Sequence, residues 1–319
     1  MKKPIVWLFP GQGAHYFQMG RSLYEGDSVF RATVLAADEM LRPLIKASLA
    51  DEMFRPREDR FAPFRSLRFT HPAILAMGYA MAQCLFARGM RPDRLAGHSL
   101  GELLAFVVAG SLTFEEALLA AVKQAQFLEY CAPSGGMLVV LTGVELFSSD
   151  PAFFVDCELA GVYSPRSFVV AGDVSLLVRA RAVLRQRGID THELPVAYPF
   201  HTAAMDVVKV PTMSTLSGVP FKASKIPVYS IDCDIELATP SAEHFWAATR
   251  KMTEFPQAVR RLEETGPNLY VDLGPSGSMT TAVKYNLDPG AASELFPIIT
   301  PFGQELRNLE RLSARLTME

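Results

Sequence analysis

Gly97-His-Ser-Leu-Gly101 is the stretch on which the reading of this chain turns. The pattern G-x-S-x-G sets a serine on a sharp strand-to-helix turn, where the flanking glycines tolerate a crowded backbone and the first N–H groups of the helix favour a developing oxyanion. Such a turn exists only where a strand runs straight into a helix, so the motif points to an α/β fold. A glycine-flanked serine in an ordinary tight turn has the same five letters, and the surrounding sequence must separate the two.

Downstream, Thr113-Phe-Glu-Glu116 has the spacing of a capping box, which predicts a helix running to about Tyr130 with Leu118, Val122 and Leu128 turned inward. Upstream, Ile5-Val-Trp-Leu-Phe9 reads as a strand and 72–88 as a buried helix. At Pro133-Ser-Gly-Gly136 the pattern breaks. The next segment is compact: strands near 137–141, 168–171 and 192–194, a helix or turn near 150–156, and a helix over 174–187 capped by Asp173. That order suits a small α+β subdomain. After Pro199 the alternation resumes through Ile226-Pro-Val-Tyr-Ser230, Leu269-Tyr-Val-Asp-Leu273 and Phe296-Pro-Ile-Ile299. The organisation expected is a large α/β domain of 1–132 and 201–319 with an insert of 133–200.

The composition is that of a folded chain: 319 residues, 49% hydrophobic and 20% charged, which excludes disorder. Lysine and arginine number 31 against 34 acidic residues, a formal charge of -3, so no general field for polyanions exists and nucleic acid is not an expected partner. The longest apolar run, 73–82, is broken by Gln83 and Arg88 and falls short of the about 20 residues a membrane span needs. Met1-Lys-Lys-Pro-Ile-Val-Trp-Leu-Phe-Pro10 has too short an apolar run and no small-residue cleavage site, so a cytoplasmic location is expected. Cys84, Cys131, Cys157 and Cys233 stand far apart without metal-ligand spacing, and no metal is expected.

A serine nucleophile needs a base, and His15, His71, His98, His192, His201 and His244 are all available; spacing alone does not choose among them. His201 stands out because Tyr198-Pro-Phe-His-Thr202 lies at the return from the insert, where a cleft between two domains is expected. Gly11-Gln-Gly13 comes directly after the first strand and can present a side-chain amide or a backbone N–H to a carbonyl oxygen, although a plain loop reads the same way.

Phe9-Pro-Gly-Gln-Gly13, Gly97-His-Ser-Leu-Gly-Glu102, Phe200-His-Thr-Ala-Ala-Met205 and Asp272-Leu-Gly-Pro275, in this order and spacing, resemble the acyltransferase family of malonyl-CoA:acyl carrier protein transacylases and polyketide synthase acyltransferase domains. The resemblance implies an α/β-hydrolase-like large domain with an inserted ferredoxin-like subdomain. It further implies Ser99 as nucleophile, His201 as base with its ring oriented by a backbone carbonyl, and Gln12 with the N–H of Leu100 as oxyanion hole. No cofactor is implied, because a thioester is already activated.

The chain departs from the family pattern at one telling position. Carboxyacyl transferases carry an Arg-Gly pair on the helix after the serine, whose guanidinium clamps the malonyl carboxylate. Counted from Ser99 without gaps, that pair is Gln124-Ala125. A charge-assisted contact worth roughly 1.5–3 kcal/mol is lost. His71 replaces the usual glutamine before Pro-Ala, and Tyr163 the asparagine common before Ser-Pro. The implied substrate-binding set is Gln124, His71, His98, Tyr163 and Phe200. Together with Thr70-His-Pro-Ala-Ile74 and Asp272-Leu-Gly-Pro-Ser276, these features resemble the discrete acyl hydrolases of trans-acyltransferase polyketide synthases. The implied partner is an acyl carrier protein with phosphopantetheine-bound acyl groups, with coenzyme A as a rival thiol. Transfer of acyl groups to a carrier by the same dyad is the nearest alternative. An esterase with His244 paired to Asp232 or Asp234 is a second, and a catalytically silent docking subunit a third.

Overall fold

The computed structural model describes residues 3–56 and 64–317; the basic start of the chain, Met1 and Lys2, lies outside them. Eleven strands occur among the described residues: β1 Ile5–Phe9, β2 Arg94–Gly97, β3 Gly136–Val140, β4 Glu158–Ser164, β5 Ser167–Gly172, β6 Thr191–Glu193, β7 Val228–Ser230, β8 Ile235–Leu237, β9 Thr253–Glu254, β10 Leu269–Asp272 and β11 Glu294–Pro297. The large sheet has the order β11-β10-β1-β2-β7-β8, parallel except for the antiparallel edge strand β8.

The central strand explains why the run at 5–9 lacks alternation. Every residue of β1 is buried, with Ile5, Trp7 and Phe9 in one core and Val6 and Leu8 in the other. Helices cover both faces, so both sets of side chains must be apolar. On one side lie Ser28–Ile45, Leu67–Ala87 and Phe114–Cys131; on the other, Phe255–Glu263 and Ser278–Asn286 supply Phe255, Val259, Leu262, Met279 and Val283. The helix Phe114–Cys131 starts at a capping box: Thr113 Oγ1 accepts from the Glu116 N–H, and the Glu116 carboxylate accepts from the Thr113 N–H. Leu118, Val122 and Leu128 on it are buried.

The second sheet has the order β6-β3-β5-β4-β9. With the helices Glu145–Ser149 and Val174–Gln186, strands β3 to β6 run β-α-β-β-α-β, and their lateral order is that of a ferredoxin-like unit. Its two faces have different tasks. Leu138, Val140, Phe168 and Val170 pack on Leu177, Ala180 and Leu184 of the unit's own helix. Met137, Val169 and Ala171 pack against Leu67, Ala125, Leu128 and Trp246 of the large domain. Two features differ from the sequence expectation. β4 is a full strand where none is expected, because its bulges at 159–161 and 162–164 interrupt the alternation by which a strand is read. β9, from far outside the insert, joins β4 in parallel through Gly161–Thr253 and Val162–Glu254.

Candidate active site

The carboxyl ends of β1, β2 and β7 are neighbours in the large sheet, with Phe9 opposite Gly97 and Gly97 opposite Ser230. Loops leaving these ends converge where ligands bind in open α/β sheets. β1 delivers Gly11-Gln12-Gly13, β2 delivers His98 and Ser99, and β7 delivers Asp232.

Ser99 lies between β2 and the helix Gly101–Val108 with φ at 53°, the left-handed conformation of a nucleophile elbow. Two glycines make room for it. A Cβ on Gly101 would lie 2.1 Å from the carbonyl oxygen of Phe9, so the helix seats on β1 only with glycine there. A Cβ on Gly11 would meet the Ser99 Cβ at 2.8 Å. The helix opens at Leu100, whose N–H belongs to the first turn and has no acceptor within it.

A buried carboxylate organises the turn. Asp232 accepts the Ser99 backbone N–H, the Thr253 hydroxyl at 2.7 Å and His98 Nδ1 at 3.0 Å. His98 Nε2 meets the hydroxyl of Tyr163, on β4, at 3.0 Å. The rings of His98 and His201 stack at 5.6 Å with an interplanar angle of 11°. His201, also left-handed at φ 61°, donates from Nδ1 to the carbonyl of Lys251 at 2.7 Å. That bond holds the ring in the tautomer whose Nε2 carries a lone pair.

The charges are arranged accordingly. Burial opposes ionisation of both His98 and Asp232, yet each favours the charge of the other, so His98 is raised above 6.5 and Asp232 held well below the carboxylate range. Burial lowers His201, the His98 charge pushes the same way, and Asp232 opposes. His98, His201 and Asp232 each offer a ligand atom within 4.8 Å of the others, but both His98 nitrogens, both Asp232 oxygens and His201 Nδ1 already have hydrogen-bond partners. The cluster is a hydrogen-bond network.

Two cavities flank the turn. One, of about 270 Å³, lies between the large domain and the insert and is lined by Gln12, His98, Tyr163, Leu141, Phe255 and Met279 among others. The other, of about 20 Å³, is lined by Ser99, Gln124, Thr212, Thr249 and apolar neighbours. Gln124 Nε2 donates to Thr249 Oγ1 at 3.2 Å. Gln12 Nε2 donates to Thr70 Oγ1 at 2.7 Å, and its buried Oε1 has no hydrogen-bond partner. His71 and Phe200 line neither cavity; they are buried with ring centroids 6.3 Å apart. Burial and the nearby His15 lower the His71 pKa to about 4.

The pairing of His244 with Asp232 or Asp234 is overturned. His244 Nε2 bonds Glu102 on the helix after Ser99, while Asp232 is held by His98 and the Ser99 N–H. In the sequence Asp232 enters only as a partner for His244 in the esterase alternative; its hold on His98 and the Ser99 N–H, and the parts played by Thr253 and the Lys251 carbonyl, appear only in the fold. The one signal for Asp232 is its place just past the strand at 226–230; that this strand lies beside β2 is not written in the sequence.

The likeness to known proteins agrees with this geometry. The family described as "Acyl transferase domain" matches residues 6–317. The chain belongs to the acyltransferase family. Among curated relatives, this acyltransferase is 33% identical over 319 residues to the polyketide biosynthesis acyltransferase homolog PksD of Bacillus subtilis, covering 100% of this chain and 98% of that protein. It is 34% identical over 312 residues to the homolog BaeD of Bacillus velezensis, covering 98% and 96%. Among solved structures, the acyltransferase domain of the second module of the salinomycin polyketide synthase superposes with a TM-score of 0.84 at 27% identity, covering 99% of this chain and 74% of the other. MCAT from Streptococcus pneumoniae gives 0.78 at 28%, covering 98% and 99%. The acyltransferase fold, a large α/β domain with a ferredoxin-like subdomain, is therefore shared across the family.

Proposed function

We propose that this acyltransferase-family protein is a discrete enzyme of polyketide biosynthesis that hydrolyses acetyl and longer non-carboxylated acyl thioesters of acyl carrier proteins, clearing stalled units through an acyl-Ser99 intermediate. Ser99 Oγ attacks the thioester carbonyl as His201 Nε2 takes its proton; the C–S bond breaks and the thiol leaves with that proton. Water then attacks the ester, giving a proton to His201 and its oxygen to the acyl carbon, and Ser99 leaves with the proton as the free acid departs. Gln12 and the Leu100 N–H serve the oxyanion. Turned by 180°, the Gln12 amide accepts from the Thr70 hydroxyl through Oε1 and frees both N–H groups for that oxygen.

The observation that carries the reading is Gln124. Beside Ser99, where a carboxylate clamp needs a cation, the cavity is lined by Gln124 tied to Thr249 and by no charged side chain. A malonyl carboxylate there would be desolvated without a counter-ion. The two Bacillus relatives, matched over nearly their whole lengths, support the polyketide setting. Membership of an acyltransferase family favours a second reading, transfer of acyl groups between thiols by the same residues.

Intact-protein mass spectrometry of acetyl- and malonyl-loaded acyl carrier protein, with an unloaded second carrier present and Ser99→Ala as control, separates the two. Loss of acetyl as free acid while malonyl persists supports hydrolysis. Acyl groups arriving on the second carrier mean transfer, and malonyl arriving there removes the argument from Gln124.

A further inference from the structure

The smaller cavity has a chemistry of its own. Its floor is apolar, with Leu100, Leu103, Ala120, Leu216 and Phe245, and its polar atoms belong to four neutral side chains. Three come from separate helices: Gln124 from Phe114–Cys131, Thr212 from Lys209–Ser217 and Thr249 from Ala242–Arg250. The Thr249 hydroxyl donates to the Phe245 carbonyl and accepts from Gln124, so it is satisfied. The Thr212 hydroxyl is buried and has no hydrogen-bond partner. A buried, unpaired hydroxyl costs roughly 1–3 kcal/mol and persists in a native fold where something else satisfies it.

We propose that the cavity enclosed by Ser99, Gln124, Thr212 and Thr249 is a subsite for short acyl groups carrying an uncharged oxygen, a 3-hydroxyl or 3-oxo group, on the β-carbon. This specifies the substrate class of the site and rests on the reading of Ser99 as the acylated residue. In an acyl-Ser99 ester the β-oxygen lies four bonds beyond Oγ, and Ser99 itself lines the cavity together with Thr212. A volume of about 20 Å³ has room for one small polar group of the size of a hydroxyl. A hydroxyl or ketone satisfies the Thr212 O–H without importing charge. A carboxylate would enter uncompensated, and a methylene would leave the Thr212 donor buried and unpaired.

The test compares 3-hydroxybutyryl and butyryl thioesters of N-acetylcysteamine, reading thiol release as kcat/KM. That release belongs to acylation of Ser99 and is the same step whether water or a second thiol accepts the acyl group. The wild-type enzyme is expected to favour the hydroxylated substrate about two- to tenfold, the range of one hydrogen bond. The isosteric Thr212→Val is expected to bring the ratio close to one, and Thr212→Ser to keep it; Thr212→Ala replaces the valine variant should that one not fold. Equal rates for the two substrates in the wild type, or a preference that survives loss of the hydroxyl, overturns the subsite while leaving Ser99 chemistry standing. Thiol release undiminished in Ser99→Ala overturns the acyl-serine reading, and the subsite with it.

Discussion

His201 is stacked on one face by a histidine whose charge Asp232 sustains, and its own Nδ1 is held by a carbonyl. Burial and the His98 charge both favour the neutral ring, so a base at this position works at pH values where a free imidazole is half protonated. The sign is definite: activity falls as pH drops through the His201 value, and that value lies below 6.5. The acid limb of kcat/KM against pH is therefore expected below 6.5, and an inflection above it means that His201 is not the group that titrates. In His98→Asn the opposing charge is gone and Asp232 is left to act on His201 alone, so the limb is expected to move to higher pH. A limb that stays or moves down shows that the stacked pair does not tune the base.

At the scale of single elements, the helix Phe114–Cys131 carries Gln124 to the serine turn and starts at a capping box that satisfies two of its terminal groups. Thr113→Ala is expected to cost about 1 kcal/mol, within a range of roughly 0.5–2. The denaturation midpoint in urea measures it, and an unchanged midpoint rules the cap out as a support of that helix. The serine helix is set differently, by its contact with β1 at Gly101. Here a tight steric demand replaces capping.

For the whole molecule, the insert is stitched to its parent twice. Its sheet packs against Leu67, Ala125, Leu128 and Trp246, and its strand β4 pairs with β9, which begins two residues after the Lys251 carbonyl that holds His201. A unit so joined is expected to unfold with its parent. Scanning calorimetry should give one transition whose van't Hoff and calorimetric enthalpies agree; two resolved transitions would show that the ferredoxin-like unit is independent.

Legible in short stretches of chain are the features that depend on neighbours a few residues apart: the strand-turn-helix at Gly97–Gly101, the capping box at Thr113, the strand at 5–9 and the break at Pro133. The family resemblance names Gln124 and Tyr163 only as substrate-binding residues; it is the fold that sets Gln124 in the cavity with Ser99 and Tyr163 beside His98, and that leaves His71 and Phe200 out of both cavities. The remainder comes from contacts between distant parts of the chain. Asp232 reaches the Ser99 N–H across 133 positions because β7 lies next to β2, and β9 crosses into the small sheet to complete its edge. Local hydrogen bonds and glycine sterics are written in short stretches of chain, whereas lateral strand order is settled by which apolar faces can be buried together, and that is a property of the folded whole.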